Sequence, residues 1–200
     1  MTRLLIIFIL FAAAVSACSG SGDSADGSAP VPRRKAYPRL NLPPREYTPV
    51  QGIDWNIEAN SAAVASLGGG DNNDWITLSY PSLGDVSVML TVIPASESQI
   101  PPVLDNRAER INLNLGANPG QVWQVEDSLL SGEIIVSNSI TTPVQLLVTD
   151  NKSVVLTGAA FIPSLTPASR DSLAPVVEYL TDDIIHLVSR FRHIAPGHNP

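Results

Sequence analysis

The sequence predicts an α+β domain, with a largely antiparallel sheet and a long C-terminal helix packed on it. Short apolar runs broken by turn residues form two groups of three, and an amphipathic stripe with helical spacing follows each group. The predicted order is therefore β-β-β-α-β-β-β-α. With 200 residues, the chain has room for one domain of the usual size, about 100 to 200 residues.

The first group of strands is predicted at residues 62–67, 75–80 and 85–93. The second of these strands alternates its side chains between two faces, and the third is rich in valine, as strands commonly are. Glycine, aspartate and asparagine dominate residues 68–74, and residues 81–84 have the composition of a turn. The three strands are therefore expected to form a meander.

A first helix is predicted over residues 104–115, because apolar residues recur there at spacings of 4, 3 and 4: Leu104, Ala108, Ile111 and Leu115. The charged residues lie off this stripe, and Gly116 is expected to end the helix. The helix should pack on the sheet by one face.

The second group of strands is predicted at residues 132–136, 143–149 and 153–162, with a tight hairpin at residues 150–152. The last helix follows from an apolar stripe that runs from Leu173 to Phe191 through Val176, Val177, Leu180, Ile184 and Val188. Asp171 or Ser172 is predicted to cap its start. Pro175 is placed in its first turn, where a missing N–H is tolerated.

The N-terminus has the composition of a lipoprotein signal. Residues 1–17 contain Arg3, an apolar run too short to predict a membrane span, and then small residues. Val15-Ser16-Ala17-Cys18 resembles a bacterial lipobox, in which cleavage between Ala17 and Cys18 frees the cysteine for lipidation. Cys18 is the only cysteine, which excludes an internal disulfide. The alternative is an ordinary secreted protein, cut after Ala17, with a free thiol.

Two connecting segments are predicted between the lipid and the domain. Residues 18–32 comprise the lipidated cysteine and a flexible tether of small and polar residues. Residues 33–47, hereafter the collar, are rich in proline and carry five basic residues against one acidic residue: Arg33, Arg34, Lys35, Arg39 and Arg45. Residues 48–200 are the predicted domain, with six basic and sixteen acidic residues.

The collar has two interpretations. Its basic residues could contact anionic lipid headgroups or an acidic partner protein. Alternatively, the collar is held against the domain by its apolar and aromatic residues, and its arginines stay solvated or pair with acidic side chains there. The residues that would hold it are Tyr37, Leu40, Leu42 and Tyr47.

No catalytic or metal-binding residues are predicted. The spacings of His186, His193 and His198 match no zinc signature, and His186 is interpreted as a helix-surface histidine beside Asp182 and Asp183. No G-x-S-x-G motif, P-loop or dinucleotide-binding motif occurs, and the oxygen-rich loop before Trp75 fails the EF-hand pattern for calcium. We therefore expect no enzyme activity and no cofactor. The net charge of −7 argues against a nucleic-acid partner.

Several short motifs follow one another along the chain. They are RKAYPRLNLP at 34–43, REY at 45–47, WITLSY at 75–80, LVTDNK at 147–152, LTGAAF at 156–161, DSLAPV at 171–176 and DDIIHL at 182–187. Together with the lipobox, their order and spacing resemble those of the gliding motility lipoprotein GldD family of the Bacteroidetes. The chain departs from that family after the collar, where members carry a Cys-Pro-Phe-type aromatic segment and residues 52–57 here read GIDWNI.

The resemblance implies a non-enzymatic accessory protein of gliding motility and type IX secretion, whose partners are other components of that machinery. Ser19, rather than aspartate, follows the lipidated cysteine and favours the outer membrane, with the domain facing the periplasm. The alternative function is a periplasm-facing lipoprotein that binds a small ligand or an ion in a pocket between sheet and helix. A hydrolase would need a serine within hydrogen-bond reach of His186 or His193.

Overall fold

The computed structural model describes residues 40–69, 74–115, 120–163 and 165–193, all of which belong to one unit, Pro38–Pro200. The predicted signal peptide, Cys18, the tether and collar residues 33–39 lie outside the described residues. So do residues 70–73 of the oxygen-rich loop, and His198. Among the described residues, no helix is both long and apolar enough to cross a bilayer.

The described chain contains eleven strands, two α-helices and one short 3-10 helix, Pro81–Leu83, between the fifth and sixth strands. In chain order these are β1 (Tyr47–Pro49), β2 (Trp55–Asn56), β3 (Glu58–Asn60), β4 (Val64–Gly68), β5 (Trp75–Tyr80), β6 (Val86–Pro94), α1 (Ile100–Leu115), β7 (Gln121–Glu126), β8 (Ser131–Val136), β9 (Val144–Thr149), β10 (Val154–Phe161), α2 (Arg170–Arg190) and β11 (Arg192–His193).

Seven strands form one antiparallel sheet with the spatial order β4-β5-β6-β10-β9-β8-β7. The sheet therefore joins two meanders, β4 to β6 and β7 to β10, through the central pair of β6 and β10. Two smaller pairs, β1 with β3 and β2 with β11, are also antiparallel. The predicted α+β class and the largely antiparallel sheet are confirmed.

The two helices cover opposite faces of the sheet. Neighbouring residues of a strand point to opposite faces, and in β8 Ile134 packs in the core that contains α2 while Ile135 packs in the cluster under α1. Leu146 and Leu147 of β9 divide in the same way. The larger core lies between the sheet and α2, which confirms the predicted packing of the C-terminal helix.

Helix α1 begins four residues before the predicted start. A turn at Ser96 initiates it, because the Gln99 side chain accepts hydrogen bonds from Ser96 N at 3.0 Å and Ser96 Oγ at 2.8 Å. Ile100 N then donates to Ser96 O at 3.1 Å, the first bond of the helical ladder. The apolar stripe alone gave no information about this polar turn.

The predicted cap of α2 is wrong. The helix begins at Arg170 with Ser169 at the N-cap, ahead of both predicted residues, Asp171 and Ser172. The preceding turn is closed by two hydrogen bonds, from Thr166 N to Ser169 Oγ at 2.9 Å and from Ser169 N to Thr166 Oγ1 at 3.1 Å. Pro175 consequently lies inside the helix, not in its first turn, and cannot donate to the Asp171 carbonyl.

Five strands were not predicted. Strands β1, β2, β3 and β11 have only two or three residues, too few to show a period of two. In addition, β2 pairs with β11, which lies far away in the sequence. Strand β7 has six residues, but most are exposed on both faces, so it lacks the apolar pattern of a core strand. The hairpin between β9 and β10 was predicted, and Asn151 adopts there the positive φ of 57° that such turns require.

Candidate functional site

A buried carboxylate lies where the collar enters the domain. Asp183 of α2 is only 4% exposed. The hydroxyl of Tyr47 in β1 donates to Asp183 Oδ1 at 2.9 Å, and the hydroxyl of Tyr80 in β5 donates to Oδ2 at 3.0 Å. The amide of Asn60 in β3 lies 3.5 Å from Oδ1. One carboxylate therefore connects α2 to three strands.

Asn60 extends this network to the main chain of the collar. Its amide nitrogen lies 3.2 Å from the carbonyl of Pro44 and 2.7 Å from the hydroxyl of Tyr179. Its oxygen accepts a hydrogen bond from the N–H of Ala62 at 2.9 Å. Since Asn60 is buried, these bonds satisfy the polar atoms of its side chain, which would otherwise be desolvated without a partner.

Burial sets the protonation behaviour of the cluster. Burial raises the pKa of Asp183, while the hydrogen bonds that it accepts and the nearby charge of Arg45 act in the opposite direction without cancelling the effect. Burial, with the adjacent Asp183 carboxylate, also raises the pKa of the Tyr80 and Tyr47 phenols. Both phenols therefore remain hydrogen-bond donors at neutral pH, and both oxygens of Asp183 are engaged by protein groups.

A partly exposed layer covers the cluster on the solvent side of α2. Arg45 forms an ion pair with Asp182, and its guanidinium carbon lies 5.9 Å from the centre of the Tyr179 ring. That distance is within the range of a cation–π contact. The collar's last arginine therefore contacts two residues of α2.

A stacked histidine completes the contact between the collar and α2. The ring of Tyr47 stacks on His186, with centroids 3.6 Å apart and planes 14° from parallel. Nε2 of His186 lies 2.9 Å from Glu58 Oε2, and Nε of Arg190 lies 3.7 Å from the same oxygen. His186, predicted as a histidine on the helix surface, is partly exposed there and is held by β1 and β3.

The segment that follows α2 is held to the domain by contacts separate from the Asp183 cluster. Trp55 of β2 stacks on Phe191 at 5.1 Å and meets the edge of His193 at 4.9 Å. Arg192 pairs with Asp127 at 3.0 Å. These contacts explain why so short a pair as β2 and β11 forms.

The structure supports the second interpretation of the collar at two of its residues. Arg45 and Tyr47 contact the domain as that interpretation requires, whereas Leu40 and Leu42 are 37% and 39% exposed. The remaining basic residues and the aromatic residue fall outside the described part of the chain: Arg33, Arg34, Lys35, Tyr37 and Arg39.

Two of the three histidines lie in the described part of the chain. The His186 ring contacts a carboxylate and a tyrosine, and the His193 ring contacts a tryptophan; within the described residues no serine forms a hydrogen bond with either ring, and Ser189 Oγ donates to the main-chain carbonyl of His186. Across the described ranges, no group of three or more His, Cys, Asp or Glu residues could hold a metal ion. The cluster around Asp183 acts as a structural fastening.

Asp183 is the residue that the sequence interpretation missed. The sequence interpretation considered it only as a neighbour of His186, but it lies three residues after Leu180 and four before Leu187, both of them core residues. A carboxylate at core spacing is a signal for a buried polar network, because an isolated charge is too costly to bury. The partners themselves could not be deduced, since Tyr47 lies 136 residues away in sequence.

The comparisons with known proteins give one match. A family model described as gliding motility lipoprotein GldD matches residues 27–193, a span that includes the whole collar and all the residues that the structure describes. No curated protein and no solved structure matches the chain.

Proposed function

Since the chain belongs to the gliding motility lipoprotein GldD family, we propose that it is a non-enzymatic accessory protein of gliding motility and type IX protein secretion. In this proposal it acts through contacts with other proteins of that machinery. Lipid on Cys18 anchors it in the outer membrane, and its domain faces the periplasm.

The family match carries this proposal, because it extends over both the collar and the domain. The geometry supports the non-enzymatic part. The most deeply buried carboxylate of the described chain, Asp183, is 4% exposed. It accepts hydrogen bonds from Tyr47, Tyr80 and Asn60, so its contacts are with the protein itself. Its bonds fix the end of the collar on α2.

The fastened collar gives the anchor a mechanical role in this proposal. Tension on the chain at Pro44 is transmitted to the domain core through the hydrogen bonds of Asn60, Tyr47 and the buried Asp183. The domain is therefore presented to its partners from a fixed point beside α2. Four of the five basic residues of the collar, Arg33, Arg34, Lys35 and Arg39, precede Pro44 in the sequence, and in this proposal they can also contact an anionic surface.

Deletion of the gene in its native organism tests the function. We expect the deletion strain to lose colony spreading and to retain type IX substrates inside the cell, and we expect the wild-type gene to restore both. A clean deletion that spreads and secretes normally would rule out the proposal.

Cys18→Ala tests the anchor separately. We expect the variant to leave the membrane fraction and to lose labelling by an alkyne fatty acid, while Ser19→Ala, its neighbour, retains both. If Cys18→Ala still fractionates with membranes that resist salt extraction, something other than lipid on Cys18 holds the protein there.

A further inference from the structure

An apolar groove runs between the edge of the sheet and α2. Trp123 of β7 lies in its middle and lines both a cavity of about 450 Å³ on one side and a cavity of about 380 Å³ on the other. The floor is apolar and comes from α2 and the sheet: Val136, Leu165, Ala174 and Val177 in the first cavity, and Ile134, Ile185 and Val188 in the second. This β7–α2 groove adjoins the collar contacts at Asp182, which lines the first cavity and pairs with Arg45.

One wall of the groove is an open strand edge. In the part of the chain that the structure describes, β7 pairs with β8 on one side only. Alternate N–H and C=O groups along the other side are therefore available to a further strand. The sequence of β7, QVWQVE, contains neither the proline nor the lysine that often protects such an edge, and Trp123 is 44% exposed.

The rim of the groove is acidic. Glu178 and Asp182 of α2 border the first cavity, and Glu126 and Asp127 border the second. Among the described residues, Glu126 and Glu178 take part in no ion pair. Arginines pair with the other two acids, and the guanidinium of Arg170, the one basic residue that lines the first cavity, donates to the Asn138 carbonyl.

We propose that the β7–α2 groove binds an extended basic segment of a partner protein, which adds to the sheet as a strand beside β7. This inference rests on the proposed function, in which the chain acts through protein contacts. The six residues of β7 match a segment of about 20 Å. Side chains on one face of that segment contact Trp123 and the apolar floor, and a lysine or arginine on this face reaches Glu178. Because Glu126 lies three residues after Trp123 in β7, a lysine or arginine on the opposite face of the segment reaches it.

A second open surface lacks the chemistry that would identify a partner. The face of β4, β5 and β6 not covered by a helix exposes Val64, Trp75 and Met89, but it carries no charge on those strands and no second wall. It provides matched controls for the groove, since it has its own edge strand and its own exposed tryptophan.

Site-specific crosslinking in the native cells tests the proposal on the full-length chain. A photoreactive residue replaces Gln121, which lines the groove, or Ser66, an exposed residue of the other edge strand. We expect Gln121 to crosslink to a partner segment that mass spectrometry maps and that carries an excess of Lys and Arg, and Ser66 to yield no such product. A crosslink to an acidic or neutral segment, to a second copy of this chain, or to nothing in cells that spread normally would overturn the proposal.

Charge reversal tests the role of the rim. Glu126→Lys with Glu178→Lys should lower the crosslink yield about tenfold or more, as should Trp123→Ala. Glu97→Lys with Glu109→Lys makes the same change of charge away from the groove, and Trp75→Ala removes the control tryptophan; both should leave the yield unchanged. If the double lysine variant fails to fold, Glu126→Gln with Glu178→Gln makes the same test, because it removes both negative charges and should also lower the crosslink yield. Equal yields for groove and control variants would overturn the proposal.

The motility assay distinguishes failure of the proposed function from failure of the groove proposal. If the deletion strain spreads normally, the proposed function fails. If the deletion strain is defective but the groove variants restore spreading and crosslink as the wild type does, the function stands and the groove assignment fails.

Discussion

The hydrogen bond from Tyr80 to Asp183 should contribute measurably to stability. Tyr80→Phe removes one hydroxyl from a side chain that is 1% exposed and keeps the ring in place. Asp183 Oδ2 then loses a donor at 3.0 Å. A hydrogen bond to a charged group contributes about 1.5–3 kcal/mol, and a buried polar atom without a partner costs a similar amount. We therefore expect the free energy of unfolding to fall by about 2 kcal/mol.

A double-mutant cycle assigns this loss to the pair. In the Asp183→Asn background, the position has no charged acceptor, so Tyr80→Phe should cost only about 1 kcal/mol. The four proteins, made with Cys18→Ser to avoid lipidation, are unfolded in urea at pH 7 and followed by circular dichroism. The difference between the two costs is the coupling energy of Tyr80 and Asp183.

Two results would refute the reasoning. One is a loss below about 0.5 kcal/mol for Tyr80→Phe, which is the size of an ordinary surface change. The other is the same loss in both backgrounds, because the hydroxyl would then act independently of Asp183. Tyr47→Phe is the matched control; it removes the other phenol from a partly exposed position, and Oδ1 keeps its contact with the Asn60 amide, so its loss should be smaller.

Three further predictions concern the same domain. Burial raises the pKa of Asp183, so the folded chain binds this proton more tightly than the unfolded chain does. The free energy of unfolding should therefore fall as pH rises from about 4 through the raised pKa. In urea titrations, Asp183→Asn should remove that part of the pH dependence. Arg45→Ala breaks an ion pair whose side chains are 53% and 39% exposed and should cost about 0–1 kcal/mol, less at high salt; a salt-independent loss would contradict this. A Cβ at Gly158 would lie 2.7 Å from backbone and side-chain atoms of β6, whereas one at Gly68 would meet nothing within 4 Å. Thermal melts should therefore show that Gly158→Ala lowers the free energy of unfolding by about 1–3 kcal/mol and that Gly68→Ala changes it little.

The sequence predicts the parts of the fold that repeat a local pattern. Strand β5 was predicted with both of its ends, Trp75 and Tyr80, because its alternation is complete and turn residues flank it. The length of α2 followed from its apolar stripe. Strands β1 and β3 were missed, since three residues each are too few to show alternation, and the side-chain contacts of the pair, such as that of Tyr47 with Asp183, reach a distant helix.

The candidate site was less accessible from the sequence for a related reason. Each residue of the Asp183 cluster is unremarkable in its own segment: a tyrosine after a basic run, an asparagine before a turn, a tyrosine at the end of a strand. Their function arises from convergence on one carboxylate across sequence separations of 103 to 136 residues. A polar residue at a core position predicts that a buried hydrogen-bond network exists around it. A single sequence does not show which distant residues belong to that network.

Helix α2 separates the anchoring contacts from the proposed docking surface. Tyr179, Asp183 and His186 face the collar and β3, while Val177 and Ile185 face β7. Asp182 belongs to both sides, since it pairs with Arg45 and borders the larger cavity. Arg45 therefore neutralises one acidic residue of the groove rim while it fastens the collar. If the groove binds a basic segment, the loss of Arg45 frees this carboxylate and strengthens that binding, although it weakens the attachment of the collar. Arg45→Ala should then lower the free energy of unfolding and increase the affinity for the partner segment. A variant that only destabilised the fold would lower both.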